Sequence, residues 1–234
     1  MKKKYVIYHG SREVVEKPEH GKGKPYNDYG RGFYCTESIE LAKEWACTEK
    51  DGGFVNTYKL DASNLSVLRL SGEKYNILNW MALLLKHRTF NVSAPIAAQS
   101  KEYLLNNFLP DVGGADIIIG YRADDSYFAF ADDFINNTIS LRQLSRAMYL
   151  GNLGEQVVII SDKAFGCIRF INSEPVSRNE YFPKRSRRDT EARKQYLSAV
   201  RIPVGNILND LFVLDILRGG IKNDDARIQR IISE

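Results

Sequence analysis

Four short stretches hold the residues whose types and spacing could do chemistry. The first is "YHGS", Tyr8 to Ser11, in which His9 ends a strand-like run and Gly10 follows it. The second is "GRGFYCTES", where Gly30 and Gly32 stand beside Phe33 and Tyr34. Glycine admits a tight turn or the close approach of another group to the backbone, and the aromatic pair reads either as strand filling or as a platform for a flat ligand. The third is "GYRADDSYF", with Arg122, Asp124 and Asp125. Paired aspartates can bind a metal, but no further ligand spacing accompanies these, and Asp125 as the cap of the next helix is the simpler reading. The fourth is "GEQVVIIS", which sets Glu155 next to Gln156. Neighbours on a strand point to opposite faces, so only one of the two can serve a given cleft. An amide there can hold a hydroxyl but cannot act as a base. No Gly-rich phosphate loop, zinc motif or serine-nucleophile signature occurs, and no metal site is expected.

The elements that must position these residues follow from pattern. Residues 1–11 read as a strand ended by Gly10, and residues 12–29, with Pro18, Pro25 and several glycines, as a loop. "GFYCT" is a short strand. Thr36 or Ser38 caps the helix "SIELAKEWACTEK", whose Ile39, Ala42, Trp45 and Ala46 share one face. "FVNTYKLDA" alternates as a half-buried strand does. "YNILNWMALLLKHR" and "SKEYLLNNFL" read as helices, "ADIIIGYRA" as a buried strand, and "SYFAFADDFINN" and "SLRQLSRAMYL" as two more helices. "EQVVIIS" and "GCIRFI" are strands separated by "DKAF". After Glu174 the chain turns polar and basic, then gives two helices, "GNILNDLFVLDILRGG" and "DDARIQRIIS". The expected organisation is an α+β domain over residues 1–174 and a basic, helical C-terminal appendage over 175–234.

Composition narrows the classes. The chain has 234 residues, 44% hydrophobic and 26% charged, which suits a soluble protein with a full core. A formal charge of +4 is too mild to argue for nucleic acid or membrane by itself. Cys35, Cys47 and Cys167 are an odd number without metal-ligand spacing, so reduced thiols and a cytoplasmic location are expected. Lys2 to Lys4 lead into "YVIYHGS" with no apolar stretch, so neither a signal peptide nor a membrane span is expected.

"YHGS", "GRGFYCT" and "GEQ", in that order, resemble the ADP-ribosyltransferase superfamily, in the branch of diphtheria-type toxins and poly-ADP-ribose polymerases. There a first core strand ends in histidine-glycine. A later strand carries glycine, a basic residue, glycine, an aliphatic or aromatic residue and tyrosine, and a second aromatic follows eleven residues on; here Tyr34 is followed by Trp45. The whole sequence also looks like an uncharacterised bacterial family of that superfamily, whose members are often suspected toxin or phage-defence components. The resemblance implies a split β-sheet core and NAD⁺ as substrate. It also implies cleavage of the nicotinamide–ribose bond through a transition state with oxocarbenium character, the electronic problem a glycosidase faces.

On that pattern His9, Tyr34 and Glu155 or Gln156 form the catalytic triad. Tyr34 and Trp45 wall the nicotinamide, and the Gly10 backbone meets the carboxamide. His9 holds a ribose hydroxyl, Ser11 belongs to the same nucleotide-binding strand end, and Ser38 can reach the carboxamide. Arg12, and Arg31 with it, would neutralise the pyrophosphate. Counting from the branch's glutamate pattern favours Glu155, whereas aligning "VVII" and "DKAF" favours Gln156. A glutamate could stabilise the developing cation and help deprotonate an acceptor. "GNLG" before them is a candidate acceptor loop.

The leading expectation is therefore mono-ADP-ribosyl transfer to an unnamed protein or nucleic-acid acceptor, with a cognate antitoxin or inhibitor protein as partner. Two alternatives stand beside it. One is a non-catalytic module on the same fold that binds NAD⁺, ADP-ribose or a partner. The other is a nucleic-acid-binding protein acting through "PKRSRR", Pro183 to Arg188, whose blander reading is a solvated linker. The final helices around Gly219 and Gly220 read as a helix hairpin more readily than as a helix-turn-helix.

Overall fold

A computed structural model describes residues 4–72, 74–123, 125–150, 154–201 and 210–233. Two sheets organise the N-terminal part. Strands β1 (Lys4–Ser11), β3 (Gly53–Asp61) and β7 (Ile168–Val176) form an antiparallel sheet in the order β1-β3-β7. Strands β2 (Phe33–Cys35), β4 (Val67–Arg69), β5 (Ile117–Tyr121) and β6 (Glu155–Ile159) form the other, ordered β2-β6-β5-β4, with only the β4–β5 pair parallel. The sheets meet at one bridge. Tyr8 N–H donates to the Thr36 carbonyl at 2.8 Å and Thr36 N–H to that of Tyr8 at 3.0 Å. Beyond it β1 and β2 part.

Alternation explains the layers. Tyr5 and Ile7 of β1 face Phe33, Cys35, Val157 and Ile159 of the second sheet, forming a core between the sheets. Val158 and Ile118 point to the opposite face, where helices cover them. Chief among these is α2 (Ile77–His87). Every residue from Ile77 to Leu85 is buried, the condition expected of a helix that is apolar all round. Its start is fixed by a capping box between Asn76 and Asn79. The helices α3 (Pro95–Phe108), α4 (Asp125–Ile135) and α5 (Leu141–Ala147) complete this layer, and α6 (Asp162–Phe165) links β6 to β7.

The α+β expectation holds, and most elements fall where pattern put them. Four details differ. β4 has no counterpart among the expected strands, and residues Arg178–Arg201 form one 24-residue helix where the sequence reads as a polar, basic stretch. α4 begins at Asp125 itself, so that residue is the first of the helix rather than its cap, and Asp124 lies outside the described residues. β7 carries on past Glu174 to Val176; as an edge strand it tolerates Pro175. The "GNLG" loop also lies largely outside the described residues.

The C-terminal segment packs against the rest. Helix α7 (Arg178–Arg201) lies along α1 (Ile39–Ala46) and reaches α4, where Tyr196 stacks on Phe130 at 3.9 Å and donates to Asp133. The "PKRSRR" cluster makes this contact. Arg188 grips Glu44 with two bonds of 3.0 and 2.8 Å, Arg185 donates to the Cys47 carbonyl, and Lys184 pairs with Glu180 and Glu40. Arg187 stays exposed. In α8 (Val213–Arg218) and α9 (Ala226–Ser233), Val213, Ile216, Ile228 and Ile231 join the main core. Among the described residues no helix is long and apolar enough to cross a membrane.

Candidate functional site

The site begins where β1 leaves β2. A Cβ on Gly10 would lie 2.0 Å from the Ala42 carbonyl oxygen and 2.7 Å from the Ala46 nitrogen. The glycine is therefore what lets α1 lie directly on β1, a packing reason sufficient without any ligand. Backbone polar groups of alternate residues project to the same strand edge. Tyr8 uses that edge to bridge Thr36, so the N–H and C=O of Gly10 project the same way, into the gap between the parted sheets.

His9, on the other face of β1, lies against Phe33 with ring centroids 4.4 Å apart, and its Nδ1 is 2.7 Å from the Tyr34 carbonyl. A carbonyl only accepts, so Nδ1 carries the hydrogen. Burial pulls the imidazole pKa below its usual value, although the Tyr34 carbonyl bond opposes this. A neutral ring with a protonated Nδ1 leaves Nε2 as an acceptor.

Tyr34 reaches the same place from β2. Its hydroxyl is tied within the chain: it donates to the Gly30 carbonyl at 2.7 Å and accepts from Tyr29 N–H at 3.0 Å. Gly30 makes the intervening turn at φ +75°, a conformation side chains resist. The glycine of the motif thus positions the tyrosine, which offers its ring rather than its hydroxyl. Burial holds that hydroxyl protonated by raising its pKa well above normal.

Strand register decides between Glu155 and Gln156. Tyr34 pairs directly with Val158, so Tyr34, Val158 and Gln156 share one face of the sheet and Glu155 takes the other. Glu155 binds Arg69 and Ser71 at the far edge, away from His9 and Tyr34. Gln156 is only 4% exposed, and its Nε2 donates at 2.8 Å to Oδ2 of Asp28, a residue with no signal in the sequence. Asp28 is itself 6% exposed; Oδ2 also accepts from Ala123 N–H at 3.0 Å, and Arg88 stands 3.6 Å from Oδ1. Burial raises the pKa of Asp28, while those two hydrogen bonds and the charges of Arg88 and Arg122 pull it back.

These residues line one cavity of about 730 Å³, within the range of small-molecule sites. His9, Gly10, Tyr34, Trp45 and Gln156 contribute to its walls, as do Asp28, Arg88 and Arg122. Five sequence-expected residues are absent from the lining. Ser11 hydrogen-bonds Glu13 and Asn56, Ser38 caps α1 through Leu41 N–H, Arg31 donates to the Gly21 carbonyl, Arg12 is exposed beside the cleft, and Glu155 faces away. The cations that do line it are Lys17, Lys22, Lys24, Arg88 and Arg122. Trp45 already has a planar neighbour: the Arg122 guanidinium lies 3.8 Å from its ring centroid. A flat ligand taken against that face would replace the guanidinium.

The model of the family described as "Protein of unknown function (DUF3990)" matches residues 5–170, most of the chain. The chain belongs to the DUF3990 family. The matched part of this DUF3990 protein takes in both sheets and every cavity-lining residue named above, and it stops within β7, before α7 begins. No curated protein and no solved structure matches the chain.

Proposed function

We propose that this DUF3990 protein binds NAD⁺ in the cavity where β1 and β2 part, as an ADP-ribosyltransferase-type fold would, and transfers a single ADP-ribose to an acceptor. One observation carries the reading. His9, Tyr34 and Trp45, which the resemblance implies, and Gln156, one of the two alternatives it leaves open, come from four separate elements and line one cavity of ligand size. The chemistry of the lining suits the substrate. Lysines and arginines suit a pyrophosphate, the ring faces of Tyr34 and Trp45 suit a cationic nicotinamide, and the Gly10 peptide offers a donor and an acceptor to its carboxamide. The neutral Nε2 of His9 accepts from a ribose hydroxyl. In the reaction the C1′–nicotinamide bond breaks, and nicotinamide leaves as a neutral base with the electron pair. The acceptor's lone pair forms the new C1′ bond, and its proton passes to solvent.

A second reading, binding without turnover, is favoured by the identity of the inward residue. Glutamine has no basic carboxylate, so activation of the acceptor falls to the acceptor itself.

Calorimetric titration of NAD⁺ into wild type, Tyr34→Ala and Trp45→Ala tests the common core of both readings. Wild type should bind, and loss of either ring should weaken affinity about tenfold, the equivalent of ~1.4 kcal/mol. Unchanged affinity in both variants, each folded by circular dichroism, would remove the cleft from consideration.

A further inference from the structure

The inward glutamine raises the question of where the site's negative charge comes from. Asp28 is buried beside it, on the loop between β1 and β2, and among the described residues the hydrogen-bond and ion-pair partners of its carboxylate are donors or cations: Ala123 N–H, Gln156 Nε2 and Arg88. Such a setting fits an ionised, acceptor-only group. An ionised carboxylate cannot donate, so it must be the amide nitrogen of Gln156 that turns toward Asp28. The amide oxygen then has the opposite orientation. Among the described residues it has no protein partner, and the residue lines the cavity.

We infer that Asp28 is a positioning residue acting through Gln156: its carboxylate locks the amide so that Oε1 is presented to a substrate hydroxyl, and the pair does the work of one inward glutamate. The inference rests on the NAD⁺ reading above. Without Asp28 the amide could equally offer its NH₂ group, a donor where an acceptor is needed. With it, the bond to a carboxylate polarises the amide and makes Oε1 a stronger acceptor, as hydrogen-bond chains do. Together the two side chains carry one negative charge, close to where positive charge develops on the ribose.

Exchanging the two groups tests this. Four full-length proteins are compared: wild type, Asp28→Asn, Gln156→Glu and the double exchange Asp28→Asn/Gln156→Glu. Each is measured for NAD⁺ dissociation constant, nicotinamide release and melting temperature. Asp28→Asn frees the amide to rotate, and Gln156→Glu sets two carboxylates against each other, so each single change should cut release at least about tenfold. The double exchange restores one carboxylate and one amide in swapped places and should recover release to within about threefold of wild type. If wild type binds NAD⁺ without releasing nicotinamide, the dissociation constants should show the same pattern of loss and recovery.

A double variant whose loss is the product of the two single losses would overturn the pairing, and so would an unaffected Asp28→Asn. If Asp28 merely ties down Ala123 and Arg88, its loss should lower the melting temperature and the second change should rescue nothing, which also overturns it. Wild type that neither binds nor cleaves NAD⁺ would overturn the nucleotide reading itself. Active wild type without rescue overturns only the role of Asp28.

Discussion

Two buried carboxylates, Glu44 on α1 and Asp28 on the loop between β1 and β2, are held in different ways. Glu44, 3% exposed, faces a single guanidinium squarely: Arg188 meets both its oxygens, at 3.0 and 2.8 Å. Asp28, 6% exposed, has one oxygen shared by a peptide N–H and an amide, and its guanidinium neighbour, Arg88, stands 3.6 Å away. The first arrangement closes on itself and ties α7 to α1. The second leaves a charge incompletely matched at the wall of a cavity. Charge kept where it is poorly matched is a mark of function rather than of stability, because burial that is not offset costs free energy.

The largest effect that would break this comparison lies at the matched pair. Arg188→Ala strands a carboxylate that has almost no access to water, and should cost about 3 kcal/mol of unfolding free energy in a denaturant titration. A loss under about 1 kcal/mol would mean that Glu44 finds water or another partner.

At the mismatched site the expectation reverses. Burial raises the pKa of Asp28, so keeping its carboxylate ionised costs stability, and Asp28→Asn should leave the melting temperature unchanged or raise it, by about 1 kcal/mol of stability at most. A fall comparable to that of Arg188→Ala would make the two carboxylates alike.

The smallest effect is the pH dependence of His9. Its folded-state pKa lies below the ordinary 6.5, so below that pH the unfolded chain binds more protons. Stability from this group is complete above pH 6.5 and falls as the pH drops through the folded value. His87, lowered by burial and by Lys86, adds in the same direction. Melting temperatures between pH 7.5 and 5 should therefore decline, less steeply in His9→Gln, and each unit of depression corresponds to about 1.4 kcal/mol. Identical slopes would place His9 in a more solvated setting than its contacts indicate.

What could be read from the sequence divides along the same line. Local pattern was enough for β1, β2 and α1, because alternation and a serine cap are written in consecutive residues. The resemblance of "YHGS", "GRGFYCT" and "GEQ" to the ADP-ribosyltransferase superfamily, rather than local pattern, brought His9, Tyr34, Trp45 and the Glu155–Gln156 pair into consideration. Which of the last two faces inward depends on the pairing of Tyr34 with Val158, a contact between distant segments. Asp28 left no trace at all. It sits in an aperiodic loop and takes its meaning from Ala123 and Gln156, 95 and 128 residues away. Gly10 and Ser38 were legible as special positions, but their local reasons, helix packing and helix capping, are enough to explain them. The basic cluster was visible by composition alone; its engagement with Glu40, Glu44 and the Cys47 carbonyl needed the fold.

The central claim is that the cavity-lining face of β6, that of Gln156, serves NAD⁺ chemistry and the face of Glu155 does not. Nicotinamide release from NAD⁺ by purified wild type, Glu155→Ala and Gln156→Ala, with and without cell lysate as acceptor source, tests it most directly. The account predicts release by wild type, near-wild-type release by Glu155→Ala, and a loss of at least about tenfold in Gln156→Ala. Release abolished by Glu155→Ala but retained by Gln156→Ala would contradict it.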